Sequence, residues 1–203
     1  MGYHRAGFEV VGVDIEPQPR YPFEFHQTDA LTFPIHGFDA IHASPPCQHY
    51  SNLARRNANA DAHPALILST RHRLGLSGLP YIIENVVGAP LHDPTTLCGT
   101  MFAGLRVIRH RLFETDFPVR PVPPHPLRHP LCYTRDKRKA HYGRLDEMRA
   151  CVSVNGGGNC SVAAARDAMG IPWMTKAELN EAIPPAYTEY VGRHLRKFLT
   201  GSI

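Results

Sequence analysis

No apolar run in this sequence approaches the length of a membrane span, and the Met-Gly-Tyr-His-Arg start has no signal-peptide core. These two absences set the expectation of a cytoplasmic protein with no membrane partner. Cysteine is scarce: five residues, an odd number without framework spacing, which argues against a disulfide scaffold and for free thiols in a reducing compartment. A large excess of one charge is missing too. With 22 Lys and Arg against 18 Asp and Glu, the net charge of +4 permits a polyanionic partner without demanding one. There is no internal repeat. What remains is a chain of 203 residues, 43% hydrophobic, enough for one domain with a small appendage and a real core.

The stretch that organises the chain is Phe38-Asp-Ala-Ile-His-Ala-Ser-Pro-Pro-Cys-Gln48. A short, partly apolar run ends at Ser44-Pro45-Pro46, and the two prolines force a sharp turn there. A strand that stops so abruptly presents Cys47 at the carboxyl end of a sheet, where open α/β folds build ligand crevices. If Gln48 opens a helix, its aligned amides favour the thiolate of Cys47. The plain alternative is a buried, inert cysteine at a strand end.

Other segments supply companions to that thiol. Residues 1–6 read as the end of a helix closed by Gly7. Phe8–Ile15 reads as a buried parallel strand ending in Asp14, a position that often grips ribose hydroxyls and otherwise holds a surface acid. Phe25–Leu31 is a weaker strand with Asp29 at its end. Residues 53–63 read as a lid or a solvated face, with Arg55 and Arg56 available to phosphates. His63–Leu76 has Leu66, Ile67, Thr70 and Leu74 at helical intervals. Tyr81–Val87 is an apolar strand interrupted by Glu84 and Asn85, and a buried carboxylate is costly unless paired or protonated. Arg106–Glu114 reads as a strand with Arg109 and Arg111 on one face, suited to a carboxylate, a phosphate or a base edge.

Proline then dominates from Pro118 to Pro130, a stiff extended linker, and Arg128–Arg149 is basic with Tyr133 and Tyr142 interleaved, a footprint for nucleic acid. His125, His129, Cys132, His141, Cys151 and Cys160 invite a zinc reading. However, Pro126 breaks the His-x-x-x-His spacing and there is no Cys-x-x-Cys pair, so no metal is expected. Helices are expected over Ser161–Met169, from Thr175, and from Ile183-Pro-Pro to the C-terminus. The last carries an apolar stripe through Tyr187, Val191 and Leu195.

Taken together, four motifs in order resemble those of the bacterial and phage DNA (cytosine-5)-methyltransferases. They are Ser44-Pro45-Pro46-Cys47-Gln48, Glu84-Asn85-Val86, Arg109-His-Arg111 and Asn180–Gly192. The resemblance implies a Rossmann-like α/β methyltransferase fold using S-adenosylmethionine. The core would comprise residues 1–117 and 151–203, with a very short target-recognition segment at 118–150. It also implies an N-terminal truncation, because it sets in past the point where the family carries a glycine-rich cofactor loop. By the same resemblance, Cys47 attacks C6 of a cytosine flipped out of double-stranded DNA. Glu84, held protonated by burial, serves N3, while Arg111 serves O2 with Arg109 in support. Asp14 takes the ribose, Ile15 the adenine face and Asp29 the adenine amino group. Gln48, Asn85, Arg55 and Arg56 fall on the substrate side, Asn85 as a brace for the Pro-Cys turn. The residues leave three alternatives open: a DNA-binding regulator without catalysis, an RNA cytosine-5 methyltransferase, and a cysteine hydrolase.

Overall fold

A computed structural model of the chain describes residues 1–51, 60–120, 123–126, 151–154 and 160–202. The fold is mixed α/β. In chain order the elements are α1 (Gly2–Arg5), β1 (Val11–Asp14), β2 (Glu24–Gln27), β3 (Ile41–Ala43), α2 (Ile67–Ser77), β4 (Tyr81–Asn85), β5 (Thr95–Leu97), β6 (Arg111–Thr115), α3 (Val162–Met169), α4 (Lys176–Glu181) and α5 (Pro185–Leu199). Among the described residues, no helix is long and apolar enough to cross a membrane. The chain divides into two compact units. One holds Met1–Phe8, Leu97–Arg109 and Val122–Gly192; the other holds Glu9–Thr96, His110–Pro121 and Arg193–Ile203.

The second unit carries the strands around Cys47. Its strands fall into two sheets, a parallel pair β1-β2 and a four-stranded sheet of order β3-β4-β6-β5. β1 is shorter and less buried than expected, four half-buried residues in place of a buried strand over Phe8–Ile15. Gly12 is the reason one side of it is covered at all. A Cβ there would come within 2.6 Å of the Tyr21 ring, so only glycine lets that ring lie on the strand. Tyr21 in turn packs edgewise on Phe23 at 5.7 Å between ring centroids.

In the larger sheet, β3 runs parallel to β4 with His42 beside Ile82 and Ala43 beside Ile83. The crossover between them is α2, whose Ile67, Thr70 and Leu74 face inward at helical spacing and whose last turn is closed by Gly78 in the left-handed region. β6 runs antiparallel to β4, pairing Ile83 with Glu114 and Glu84 with Phe113. Side chains alternate across a sheet, so this register sorts them. His42, Ile82, Glu84, Phe113 and Arg111 share one face; Ile83, Asn85, Leu112 and Glu114 share the other.

The strand expected over Arg106–Glu114 begins only at Arg111. Ahead of it, the backbone is committed elsewhere: Ile108 N donates to Val152 O (2.9 Å) and Val152 N to Arg106 O (2.8 Å). Arg109 and Arg111 therefore do not lie on one strand face. Within the stretch expected as a linker from Pro118, Val119 is buried.

In the first unit, Val107, Val152, Ala165, Ala168, Met169, Ile171 and Leu179 form one core. Ser161 caps α3 by accepting from Ala164 N, and Thr175 with Glu178 closes a reciprocal capping box on α4. The expected helices over 161–169, from 175 and from 183 are all present within a residue or two. Tyr187 and Val191 of α5 are fully buried.

Candidate active site

The turn after β3 delivers the thiol. Pro45 is buried, Cys47 is partly exposed, and the chain then makes a 3₁₀ turn over Gln48–Tyr50. This turn is three residues long, so behind Cys47 there is one short set of amides and not a regular helix. Its anchor is Tyr50, whose ring is buried and whose hydroxyl accepts from Ile67 N at the start of α2 (3.4 Å). Gln48 is exposed beside the thiol.

Parallel pairing of β3 with β4 brings the Glu-Asn pair to the same end of the sheet as this turn. Asn85 is fully buried; its Nδ2 donates to Pro45 O (2.8 Å) and its Oδ1 accepts from Val86 N (3.0 Å). Both ends of the amide are thus spent on backbone, and the side chain ties the Pro-Pro-Cys turn to β4. Glu84, one residue earlier and on the opposite face, is buried with Arg111 Nε at 2.9 Å from its Oε1. The sequence left a paired or a protonated acid open, and the resemblance implied a protonated one. The fold instead gives this carboxylate a guanidinium partner across the β4-β6 pair, which is how a buried charge becomes tolerable. Arg111 also donates to His110 O (3.0 Å).

Two further groups on this sheet had not been singled out. His42 Nε2 lies 2.9 Å from Ser44 Oγ, and its ring packs toward Phe113 at 6.5 Å between centroids. Loss of solvation lowers the His42 imidazole to about 4. On the other face, Arg71 of α2 grips Glu114 with two bonds of 2.7 Å, donates to Pro90 O (2.8 Å), and Glu114 also accepts from His92 N (2.7 Å). Burial opposes ionisation of Glu114, but the Arg71 and His92 bonds outweigh it and hold its carboxyl below the usual range. This network fixes the segment that follows Glu84-Asn85. Arg71 and Glu114 are 43 positions apart, so no local spacing in the sequence signals the pair.

The remaining candidates sort by unit. Asp14 closes β1, with Oδ1 accepting from Glu16 N (2.9 Å) and Oδ2 from Gln18 Nε2 (3.3 Å). Ile15 beside it is 66% exposed, an apolar side chain left uncovered at a strand end. Asp29 follows β2 and turns one oxygen onto Leu31 N (2.8 Å). All three belong to the same unit as Cys47, Glu84 and Arg111. Arg109 belongs to the other unit, where its guanidinium is buried and donates to Val154 O and Asn180 O, both at 2.5 Å. Its carbonyl accepts from Tyr187 Oη (2.7 Å). That is a scaffold role, binding the 109 position to the segment 180–187. Arg55, Arg56 and the basic stretch 128–149 lie outside the described residues. Of the zinc candidates, His125 is exposed, Cys151 buried and Cys160 partly exposed, neither cysteine in a disulfide among the described residues, whereas His129, Cys132 and His141 lie outside them.

No protein-family model matches the chain, and no curated protein matches it.

Proposed function

We propose that this chain is a DNA cytosine-5 methyltransferase with a Rossmann-like core, in which Cys47 is the nucleophile. The observation that carries this reading is the tie between the two motifs: Asn85 on β4 holds the carbonyl of Pro45, two residues before Cys47, while its neighbour Glu84 is paired with Arg111. A thiol, a carboxylate and a guanidinium thereby belong to one sheet end, the set that addition to a pyrimidine ring requires.

Carbon 5 of cytosine is a poor nucleophile. Addition of the Cys47 thiolate to C6 moves electron density onto C5, N3 and O2. Glu84, once its pair with Arg111 opens and it has taken up a proton from solvent, donates that proton to N3 in a hydrogen bond, and Arg111 meets O2, where negative charge grows. Breaking the Glu84–Arg111 pair frees both groups for the base, and the ring then supplies the polar partners each has lost. After C5 has gained its methyl group, loss of the C5 proton restores the double bond and expels the thiolate of Cys47. Since C6 is covered in stacked DNA, the base must leave the helix, at a cost of about a few kcal/mol.

The donor set at β1 and β2 suits S-adenosylmethionine: two carboxylates, Asp14 and Asp29, close adjacent parallel strands, and the uncovered Ile15 offers a flat apolar contact. Asp14 would hold the ribose hydroxyls, Ile15 the adenine face and Asp29 the adenine amino group. The bound cofactor supplies an electrophilic methyl group.

Incubating the protein with methyl-labelled S-adenosylmethionine and cytosine-containing duplex DNA tests the reading. Label recovered as 5-methylcytosine, and lost in Cys47→Ala, supports it. Label that enters only RNA, or no nucleic acid at all, contradicts it.

A further inference from the structure

The turn that delivers Cys47 is held at Pro45 by Asn85, but nothing assigned so far restrains Ser44. His42 does. It lies on the sheet face that carries Glu84 and Arg111, beside Ile82, with its ring toward Phe113 and its Nε2 2.9 Å from Ser44 Oγ. Ser44 and Pro45 are consecutive, so the backbone leading to Cys47 is fastened twice in succession, from the neighbouring strand by Asn85 and from its own strand by His42. We infer that His42 is a positioning residue for the Cys47 turn, acting through Ser44.

This rests on the reading of Cys47 as the working thiol. An imidazole suits the task because its rigid ring packs as an apolar plate while a single polar tip reaches the hydroxyl. Small displacements of a nucleophile are costly to rate, since the reacting atoms must meet within a narrow range of distance and direction. A ring of similar size without the tip should therefore leave the fold in place and loosen only the turn. Loss of solvation keeps the imidazole uncharged at neutral pH, where its tip can bond a hydroxyl without the need of an anionic partner.

Five proteins test it: wild type, His42→Phe, His42→Gln, Ser44→Ala and the double variant of His42→Phe with Ser44→Ala, each read in two ways. The first reading is methyl transfer to duplex DNA. The second is the rate at which iodoacetamide labels Cys47, followed by peptide mass spectrometry, which needs neither DNA nor cofactor. We expect His42→Phe and Ser44→Ala to lower kcat about tenfold with KM for the cofactor within twofold, and to change the Cys47 labelling rate at least threefold. His42→Gln, which retains an amide near the imidazole tip, should recover most of both. The double variant of His42→Phe with Ser44→Ala should be no worse than either alone, because one contact is broken in all three. Labelling and kcat within twofold of wild type in Ser44→Ala would overturn the inference, as would a His42→Gln no better than His42→Phe. If wild type transfers no methyl group, the methyltransferase reading fails, and the labelling rates still decide whether His42 holds the turn.

Discussion

Asn85 shows how much one side chain contributes here. Both ends of its amide are used on backbone groups, and the residue is 1% exposed. Replacing it with alanine leaves the Pro45 carbonyl buried without its donor, so Asn85→Ala should destabilise the protein by about 1–3 kcal/mol. A shift in the urea midpoint at unchanged slope would register that loss; an unchanged midpoint would show that the bond contributes nothing. His42 gives the second prediction at this scale. Its folded value of about 4 lies below the ordinary 6.5, so the unfolded chain binds the proton more readily. Its contribution is full above about pH 6.5 and drains away as pH falls from there toward 4. The loss should amount to about 3 kcal/mol, and His42→Phe should flatten that part of the stability curve. An equal slope in the variant would assign the dependence to other groups.

Among the elements, the latch between α2 and β6 stands out. Glu114 is 3% exposed and carries two bonds from Arg71 and one from His92 N. Removing the acid takes two bonds from the half-buried Arg71 guanidinium and leaves His92 N without its acceptor, so Glu114→Ala should cost about 1–3 kcal/mol in chemical unfolding. The depressed carboxyl means that its stabilisation is complete above the ordinary range of a glutamate and fades as pH drops through its lower folded value. At α5, Gly192 lets α1 approach: a Cβ there would sit 2.9 Å from Ala6 Cβ and from Tyr3 Cδ1. Gly192→Ala should cost about 1–3 kcal/mol through that crowding. A thermal melt identical to wild type would refute it. Helices were the most legible elements in the sequence, since caps such as Ser161, Thr175 and Gly78 and the Ile67-Thr70-Leu74 spacing are local signals. The stretch before β6 was not legible. Its residues alternate like a strand, yet 106–108 pair with Val152, a partner far along the chain that spacing cannot reveal.

Across the whole molecule, the sequence placed Cys47, Glu84, Asn85 and Arg111 in one neighbourhood through motif order, and the β3-β4-β6 register brings their strands side by side. It could not show that Glu84 meets Arg111 across two strands, nor that Arg109 is spent on the carbonyls of Val154 and Asn180, because both depend on long-range geometry. The division into two sheets was equally hidden: β1 and β2 carry strand-like residues whichever sheet they join. The central claim is chemical, a covalent bond from Cys47 to carbon 6 of cytosine. The direct measurement is trapping on duplex DNA carrying 5-fluorocytosine in the presence of S-adenosylmethionine, since fluorine cannot leave as the C5 proton does. The account predicts a stable protein–DNA adduct mapped by mass spectrometry to Cys47 and absent in Cys47→Ala. Adduct formation on another residue, or none on duplex DNA under conditions where the protein is folded, would contradict it.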